Sequence, residues 1–263
     1  MTLKTIDLKV ADYMSPRPIA IEISDSLTNA IDLMAEKGIG HIVVEKHGQV
    51  NGVFTEREIL ELLISKKKLE GIQMSKVPLS TFTVVNPETS VIDAARLMIL
   101  KKTRLIVYDN NKLIGIITAT DMVRAFRRTG GNPPLDKVLS SALYTVKDAD
   151  DVYKAVKILH DKKVGSVLVT KHKVPYGIFT ERDLLVNILS YGADLKNPII
   201  GYCSHPLITN EYEIKASDVA KIMSENKIKR LFLTKQGKIS AIVTARDVVD
   251  AFQSSFSDDD LQK

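Results

Sequence analysis

The sequence predicts a mixed α/β (α+β) protein: four copies of a β-α-β-β-α unit, arranged as two tandem pairs. Three observations carry that prediction. The strings NGVFTERE (51–58), IGIITATD (114–121), YGIFTERD (176–183) and SAIVTARD (240–247) recur with Thr55, Thr118, Thr180 and Thr244 spaced 63, 62 and 64 residues apart. An amphipathic helical pattern precedes each string, and two short apolar runs stand between that helix and the threonine. Self-similarity at a fixed period is the signature of a repeat architecture.

Each unit opens on an apolar residue followed by serine, at 14–15, 74–75, 139–140 and 203–204. Cys203 therefore occupies a slot held elsewhere by Met or Leu and reads as a small buried hydrophobe rather than a nucleophile. An entering strand follows. The first helix of each unit places apolar residues at i, i+3, i+4 and i+7. These are Leu27, Ala30, Ile31 and Met34; Val91, Ala94, Ala95 and Met98; Val152, Ala155, Val156 and Leu159; and Ala216, Val219, Ala220 and Met223. The methionines at this spacing indicate core packing. Pairs of short branched runs, such as HIVVE with NGVFT and LFLTK with SAIVT, read as strands joined by tight hairpins at KHGQ, NNK, KHK and KQGK. The second helix starts at the threonine.

A lone unit of this size leaves apolar surface uncovered, so neighbouring units are expected to pair. Gly130, Gly131, Pro133 and Pro134 in RRTGGNPPLDK (127–137) mark the break between the two pairs. The expected spans are 8–67, 68–129, 133–191 and 196–253, with 254–263 a flexible acidic tail.

Composition narrows the class. The chain has 263 residues, is 44% hydrophobic and 26% charged, and carries a formal charge of +5. Its apolar runs stop at about six residues, far below the ~20 of a membrane helix, and charged residues interrupt the first fourteen positions where a signal peptide would have its apolar core. A single cysteine excludes an internal disulfide framework. A soluble, cytoplasmic protein is expected. No P-loop, G-x-S-x-G elbow or H-E-x-x-H motif is present, so no enzyme is predicted. His47 and His172 share a hairpin-turn slot without a second ligand beside them, and no metal is expected.

The lead-in, the Ala/Met helix, the apolar strand and then G-h-h-T-x-x-D, in register four times from about 8 to 253, resemble the CBS domain family. Repeat 4 departs with Ala241 in the Gly slot. The arrangement of two tandem pairs, or Bateman modules, is similar to the gamma subunit of AMP-activated protein kinase and to stand-alone prokaryotic four-repeat proteins. The resemblance implies a non-catalytic energy sensor that binds AMP, ADP or ATP in clefts between paired repeats. It implies no cofactor beyond that regulatory ligand, and a separate protein as the target. Pairing with a second copy is open. S-adenosylmethionine is the rival ligand in the family; it lacks phosphates, so the cations described next favour nucleotides.

Thr-x-x-Asp has two readings. It is a capping box, in which the threonine accepts a first-turn amide and the acid reaches back to the threonine amide. The same helix start offers amides and a positive dipole end to phosphate, and the acid can accept both hydrogen bonds of a ribose diol. The resemblance carries ribose or phosphate contact onto Thr118 and Asp121, Thr180 and Asp183, and Thr244 and Asp247. Thr55 with Glu58 is the variant, its acid one methylene longer, which predicts the weakest cleft there. For phosphate, the matching strand start implies His41, Arg104, Lys229 and Arg230, while Ser166 leaves repeat 3 without a cation. Arg57, Arg182 and Arg246 precede three of the acids; each is equally an ordinary surface arginine.

Repeats 1 and 3 share F-T-E-R and a glycine before the strand, and repeats 2 and 4 share T-A-x-D and an arginine. An ancestral pair duplicated once explains this, and places the cationic strand of the even repeat in a cleft shared by each pair. Nucleic acid is the alternative partner. Lysines at 66–68, 101–102, 162–163 and 227–229 give basic spots, but aromatic residues are 6% with no Trp, so stacking platforms are not evident.

Overall fold

The computed structural model describes residues 8–65 and 68–256. Lys66 and Lys67 and most of the acidic tail lie outside them, as do the first seven residues of the stretch tested for a signal peptide. The fold is the expected mixed α/β architecture of four β-α-β-β-α repeats.

Repeat 1 contains its lead-in strand β1 (Ser15–Pro16), then β2 (Ala20–Glu22), α1 (Leu27–Glu36), β3 (His41–Lys46), β4 (Gln49–Thr55) and α2 (Glu56–Ile64). Repeat 2 contains β5 (Phe82–Val85), α3 (Val91–Lys101), β6 (Arg104–Asp109), β7 (Lys112–Ile117) and α4 (Ala119–Phe126). In repeat 3, β8 (Thr145–Lys147), α5 (Val152–Asp161), β9 (Ser166–Lys171) and β10 (Val174–Thr180) lead into α6 (Glu181–Asp183). Repeat 4 comprises β11 (Thr209–Glu211), α7 (Ala216–Glu225), β12 (Arg230–Lys235), β13 (Lys238–Thr244) and α8 (Ala245–Ser254). In every repeat the entering strand runs parallel to the middle strand, which pairs antiparallel with the third.

All the apolar positions predicted for the first helices are buried. Ser26, Ser90 and Asp151 cap α1, α3 and α5 by accepting a first-turn amide, each such cap worth about 1 kcal/mol. The four hairpins turn in two residues with both φ positive, at His47-Gly48, Asn110-Asn111, His172-Lys173 and Gln236-Gly237. Two-residue turns of that hand match the twist of the flanking strands, and they explain both turn histidines without a ligand.

The second helix of repeat 3 departs from the expected α-helix. After α6 it widens into a π-helix at Leu184–Ile188 and closes in a 3-10 turn at Leu189–Tyr191. The widening serves two cores: Leu185 packs with the core of repeat 1, whereas Leu184 and Ile188 pack with that of repeat 3.

The lead-ins hold the main correction. Ser15, Ser80, Ser140 and Ser204 occupy one structural slot, pairing with Ile116, Val53, Ile242 and Ile178. Repeat 2 therefore uses Leu79-Ser80, not Met74-Ser75, which both lie in the 3-10 helix Met74–Lys76. Each lead-in adds to the sheet of the other member of its consecutive pair: the lead-in of repeat 1 to repeat 2, that of 2 to 1, of 3 to 4, and of 4 to 3. The Gly slot makes room for it. A Cβ on Gly52 would stand 2.7 Å from Leu79 Cβ, one on Gly177 2.7 Å from the Ser204 carbonyl and 3.0 Å from Cys203 Sγ, and one on Gly115 would collide with Met14.

This exchange explains how the chain divides. Among the described residues, one compact unit holds 8–18, 81–142 and 208–256, the even repeats with their borrowed lead-ins; the other holds 19–65, 68–80 and 143–207, the odd repeats with theirs. The Gly/Pro-rich 127–137 stays inside the even unit. In that unit α4, α7 and α8 pack together, and Phe126 stacks on Phe252 with centroids 4.8 Å apart. In the odd unit α2 packs on α5 and on the start of α6. The kinship of odd with odd and even with even, visible in the sequence, is also the grouping of the cores.

Candidate functional site: the Thr-x-x-acid boxes and the even-unit cleft

The third strand of each repeat runs into its threonine, and the next residue begins a helix. Each threonine amide therefore needs an acceptor, and the acid three positions on supplies it. Thr55 N donates to Glu58 Oε2 at 2.8 Å, Thr118 N to Asp121 Oδ2 at 2.9 Å, Thr180 N to Asp183 Oδ2 at 2.8 Å and Thr244 N to Asp247 Oδ2 at 2.7 Å. Each hydroxyl donates to the same oxygen, at 2.5, 2.7, 2.6 and 2.8 Å respectively. In repeats 3 and 4 the hydroxyl also accepts from the acid's own amide; in repeat 1 it accepts from Arg57 N. All four motifs form capping boxes. The extra methylene of Glu58 does not change these contacts.

The outer carboxylate oxygen separates the repeats. Ser80 Oγ donates to Glu58 Oε1 at 2.6 Å and Ser204 Oγ to Asp183 Oδ1 at 2.8 Å, so the lead-in serine seals the acid in both odd repeats. In repeat 2 the equivalent Ser15 does not reach Asp121; Arg124 Nη2 donates to Asp121 Oδ1 at 2.6 Å and to the Tyr13 carbonyl at 2.9 Å. In repeat 4 Ser140 Oγ accepts from Ala142 N instead, and Asp247 Oδ1 has no partner among the described residues. Burial pushes the Asp247 carboxyl above the usual carboxylate range and neighbouring Asp250 adds to this, against the two Thr244 hydrogen bonds and Arg246, which lower it.

The predicted strand-start cations lie beside the boxes of their own repeats. His41 pairs with Thr55 and Arg230 with Thr244 across the hairpins, and the register Leu105↔Ile117 brings Arg104 alongside Thr118. Arg57 and Arg182 are engaged elsewhere. Arg57 Nη2 stands 3.1 Å from Glu181 Oε1 and Arg182 Nε 3.6 Å from Glu56 Oε1, a reciprocal exchange between repeats 1 and 3. Arg182 also bonds the Gly38 carbonyl. A Cβ on Gly40 would stand 2.8 Å from the Glu56 carboxylate, which explains the glycine before the strand in repeat 1. Arg246 Nη2 donates to the Met98 carbonyl at 2.8 Å.

A cleft of about 340 Å³ in the even unit gathers Asp121 and Arg124 of α4, Thr120, the lead-in Ser15, and Met223, Ser224, Lys227 and Lys229 of repeat 4. The expected cleft lay between consecutive repeats; this one joins repeats 2 and 4. It brings a predicted acid, Asp121, to a predicted cation, Lys229, and adds Arg124 and Lys227. Arg124 escaped the sequence reading because its slot holds Glu61, Val186 and Asp250 in the other repeats. Lys227 had appeared only as a basic spot. A site of this size with one acid and three cations suits a small polyanionic ligand that also presents hydroxyls.

Cys203 is buried, its Sγ 3.6 Å from the Ile200 carbonyl, and burial raises its pKa, as a packing residue requires. Among the described residues no three His, Cys, Asp or Glu side chains are grouped to hold a metal ion, and no helix is long and apolar enough to cross a membrane.

Comparison with known proteins agrees with the fold. The CBS domain model matches residues 10–65, 71–128, 135–190 and 201–254. The structure of MJ1225 from Methanocaldococcus jannaschii, proposed as an archaeal homologue of gamma-AMPK, superposes with a TM-score of 0.77 at 16% identity, covering 93% of this chain and 100% of that one. An uncharacterized conserved protein from Pyrococcus horikoshii gives a TM-score of 0.62 at 18% identity, over 92% and 99% of the two chains. In sequence, the chain is 26% identical over 200 residues to an uncharacterized 33.4 kDa protein in the ribosomal RNA operon of Thermofilum pendens, covering 70% of this chain and 66% of that protein. It is 23% identical over 258 residues to protein MJ1404 of M. jannaschii, covering 91% of this chain and 61% of that one. The chain thus spans a little under two thirds of the length of these curated relatives. With four domain matches covering most of its length, each on one β-α-β-β-α repeat, the chain belongs to the CBS domain family.

Proposed function

We propose that the protein is a non-catalytic regulatory sensor that binds an adenine nucleotide in the even-unit cleft. The observation that carries this reading is the convergence of Asp121 with Arg124, Lys227 and Lys229 across repeats 2 and 4. A capped carboxylate at a helix start is an acceptor for a ribose diol, and the cations balance a phosphate. The box threonine amides are consumed by the acids, so phosphate is held by side chains here rather than by the helix start. The odd-repeat acids, sealed by serines, act in this reading chiefly as caps. Ligand binding bridges two repeats and reports to a separate protein target.

The family's other ligand, S-adenosylmethionine, fits less well, because its positive charges would meet three cations. Nucleic acid finds no stacking platform in the cleft, which is lined by no aromatic residue. Isothermal titration calorimetry of the full chain with AMP, ADP, ATP and S-adenosylmethionine tests the reading. Nucleotide binding that Asp121→Ala abolishes is expected. Binding of S-adenosylmethionine alone, or nucleotide binding indifferent to Asp121, would overturn it.

A further inference from the structure

We infer that Arg124 is the specificity-determining residue of the even-unit cleft, a displaceable plug on Asp121 that makes a phosphate obligatory for tight binding. This rests on the reading of the cleft as a nucleotide site. Asp121 Oδ2 already accepts the amide and the hydroxyl of Thr118, at 2.9 and 2.7 Å. A diol must therefore approach through Oδ1, where Arg124 Nη2 already takes one of two acceptor positions at 2.6 Å, so both hydroxyls bind there only if the arginine leaves. No other box acid has this partner: Glu58 and Asp183 face serine hydroxyls, and the position equivalent to Arg124 is Asp250 in repeat 4.

Both Arg124 and the ligand want the same oxygen, and what the ligand offers in return decides the outcome. A nucleoside without phosphate displaces a charge-assisted hydrogen bond and gives the guanidinium nothing back. A nucleotide gives it an anion, and the guanidinium fork suits a phosphate. The Tyr13 carbonyl, 2.9 Å from the same Nη2, holds the arginine at the rim of the cleft beside Lys227 and Lys229. Its side chain is 52% exposed, so it can swing without disturbing the core.

The test compares AMP with adenosine by calorimetry, in wild type, Arg124→Ala, Arg124→Lys and Asp121→Ala. Wild type is expected to prefer AMP. Arg124→Ala should shrink the AMP-to-adenosine affinity ratio by about tenfold or more, the scale of one hydrogen bond to a charged group, with adenosine unchanged or tighter. Arg124→Lys keeps the charge and should keep part of the preference. If Arg124→Ala weakens AMP and adenosine by the same factor, the residue is structural and the inference fails while the nucleotide reading stands. If wild type binds no AMP, or Asp121→Ala binds it equally well, the reading itself fails and the inference falls with it.

Discussion

In the odd unit a lead-in serine closes the outer oxygen of each box acid, Ser80 on Glu58 and Ser204 on Asp183. In the even unit the corresponding serines turn away, leaving Asp121 to Arg124 and Asp247 with one bare oxygen among the described residues. The same four-residue motif is thus closed by a lead-in serine in one unit and, in the other, by an arginine at the buried Asp121 or by no described group at Asp247. The units also differ in how their repeats meet. Repeats 1 and 3 exchange Arg57–Glu181 and Arg182–Glu56 pairs, whereas repeats 2 and 4 have Ala119 and Ala245 in the glutamate slots and stack Phe126 on Phe252. The boxes, alike in sequence, differ in the group that reaches the acid's second oxygen.

The largest expected effect probes the apolar joint. Phe252→Ala removes a fully buried ring from the even unit and should cost about 3–5 kcal/mol, read from urea unfolding. A loss below about 1 kcal/mol would mean that the stacked pair does not hold repeats 2 and 4 together. Next come the acids. Asp183→Ala deletes a buried carboxylate that satisfies Thr180 and Ser204, and should cost about 2–3 kcal/mol. Asp247→Ala should cost only about 1 kcal/mol, because burial already penalises its charge and no group seals its outer oxygen. Equal losses would erase the distinction between sealed and open boxes.

A smaller effect is expected at the odd-unit ion pairs. Arg57 is 42% exposed, so the double change Arg57→Ala with Glu181→Ala should cost less than about 1 kcal/mol and shrink further with salt. Glu181 is nearly buried at 12% exposure, and removing Arg57 alone should cost more than the double change. The smallest effect is a pH dependence confined to the odd unit. Hydrogen bonds from Asp161 and Glu61, each 2.9 Å from a ring nitrogen, raise the His160 pKa against a small opposing desolvation. Its stabilisation is therefore fully present below the unfolded value near 6.5 and lost as pH rises through the higher folded value. His160→Gln should flatten that part of the stability–pH profile, and an unchanged profile would remove His160 from the account.

The repeat, its helix faces and its hairpins were legible because each rests on local spacing: four threonines at one period, apolar stripes, and turn residues such as His47-Gly48. The boxes were legible for the same reason, since donor and acceptor lie three residues apart. The lead-in of repeat 2 was misplaced because Met74-Ser75 mimics a slot defined by long-range pairing with Val53, which only Leu79-Ser80 reaches. The pairing of Arg57 and Arg182 was not legible, because Glu181 and Glu56 face them from another repeat. Arg124 was invisible because repeat-based comparison finds what recurs, and this residue occurs in its slot once.

The division of labour between sealed and open acids is read out by titrating AMP into Asp121→Ala and Asp183→Ala alongside wild type. Asp121→Ala is expected to lose AMP affinity by more than about tenfold and about 1 kcal/mol of stability with its cap, whereas Asp183→Ala is expected to be destabilised further yet to bind AMP as wild type does. Loss of AMP binding in Asp183→Ala under conditions where it remains folded, with affinity retained in Asp121→Ala, would contradict that division.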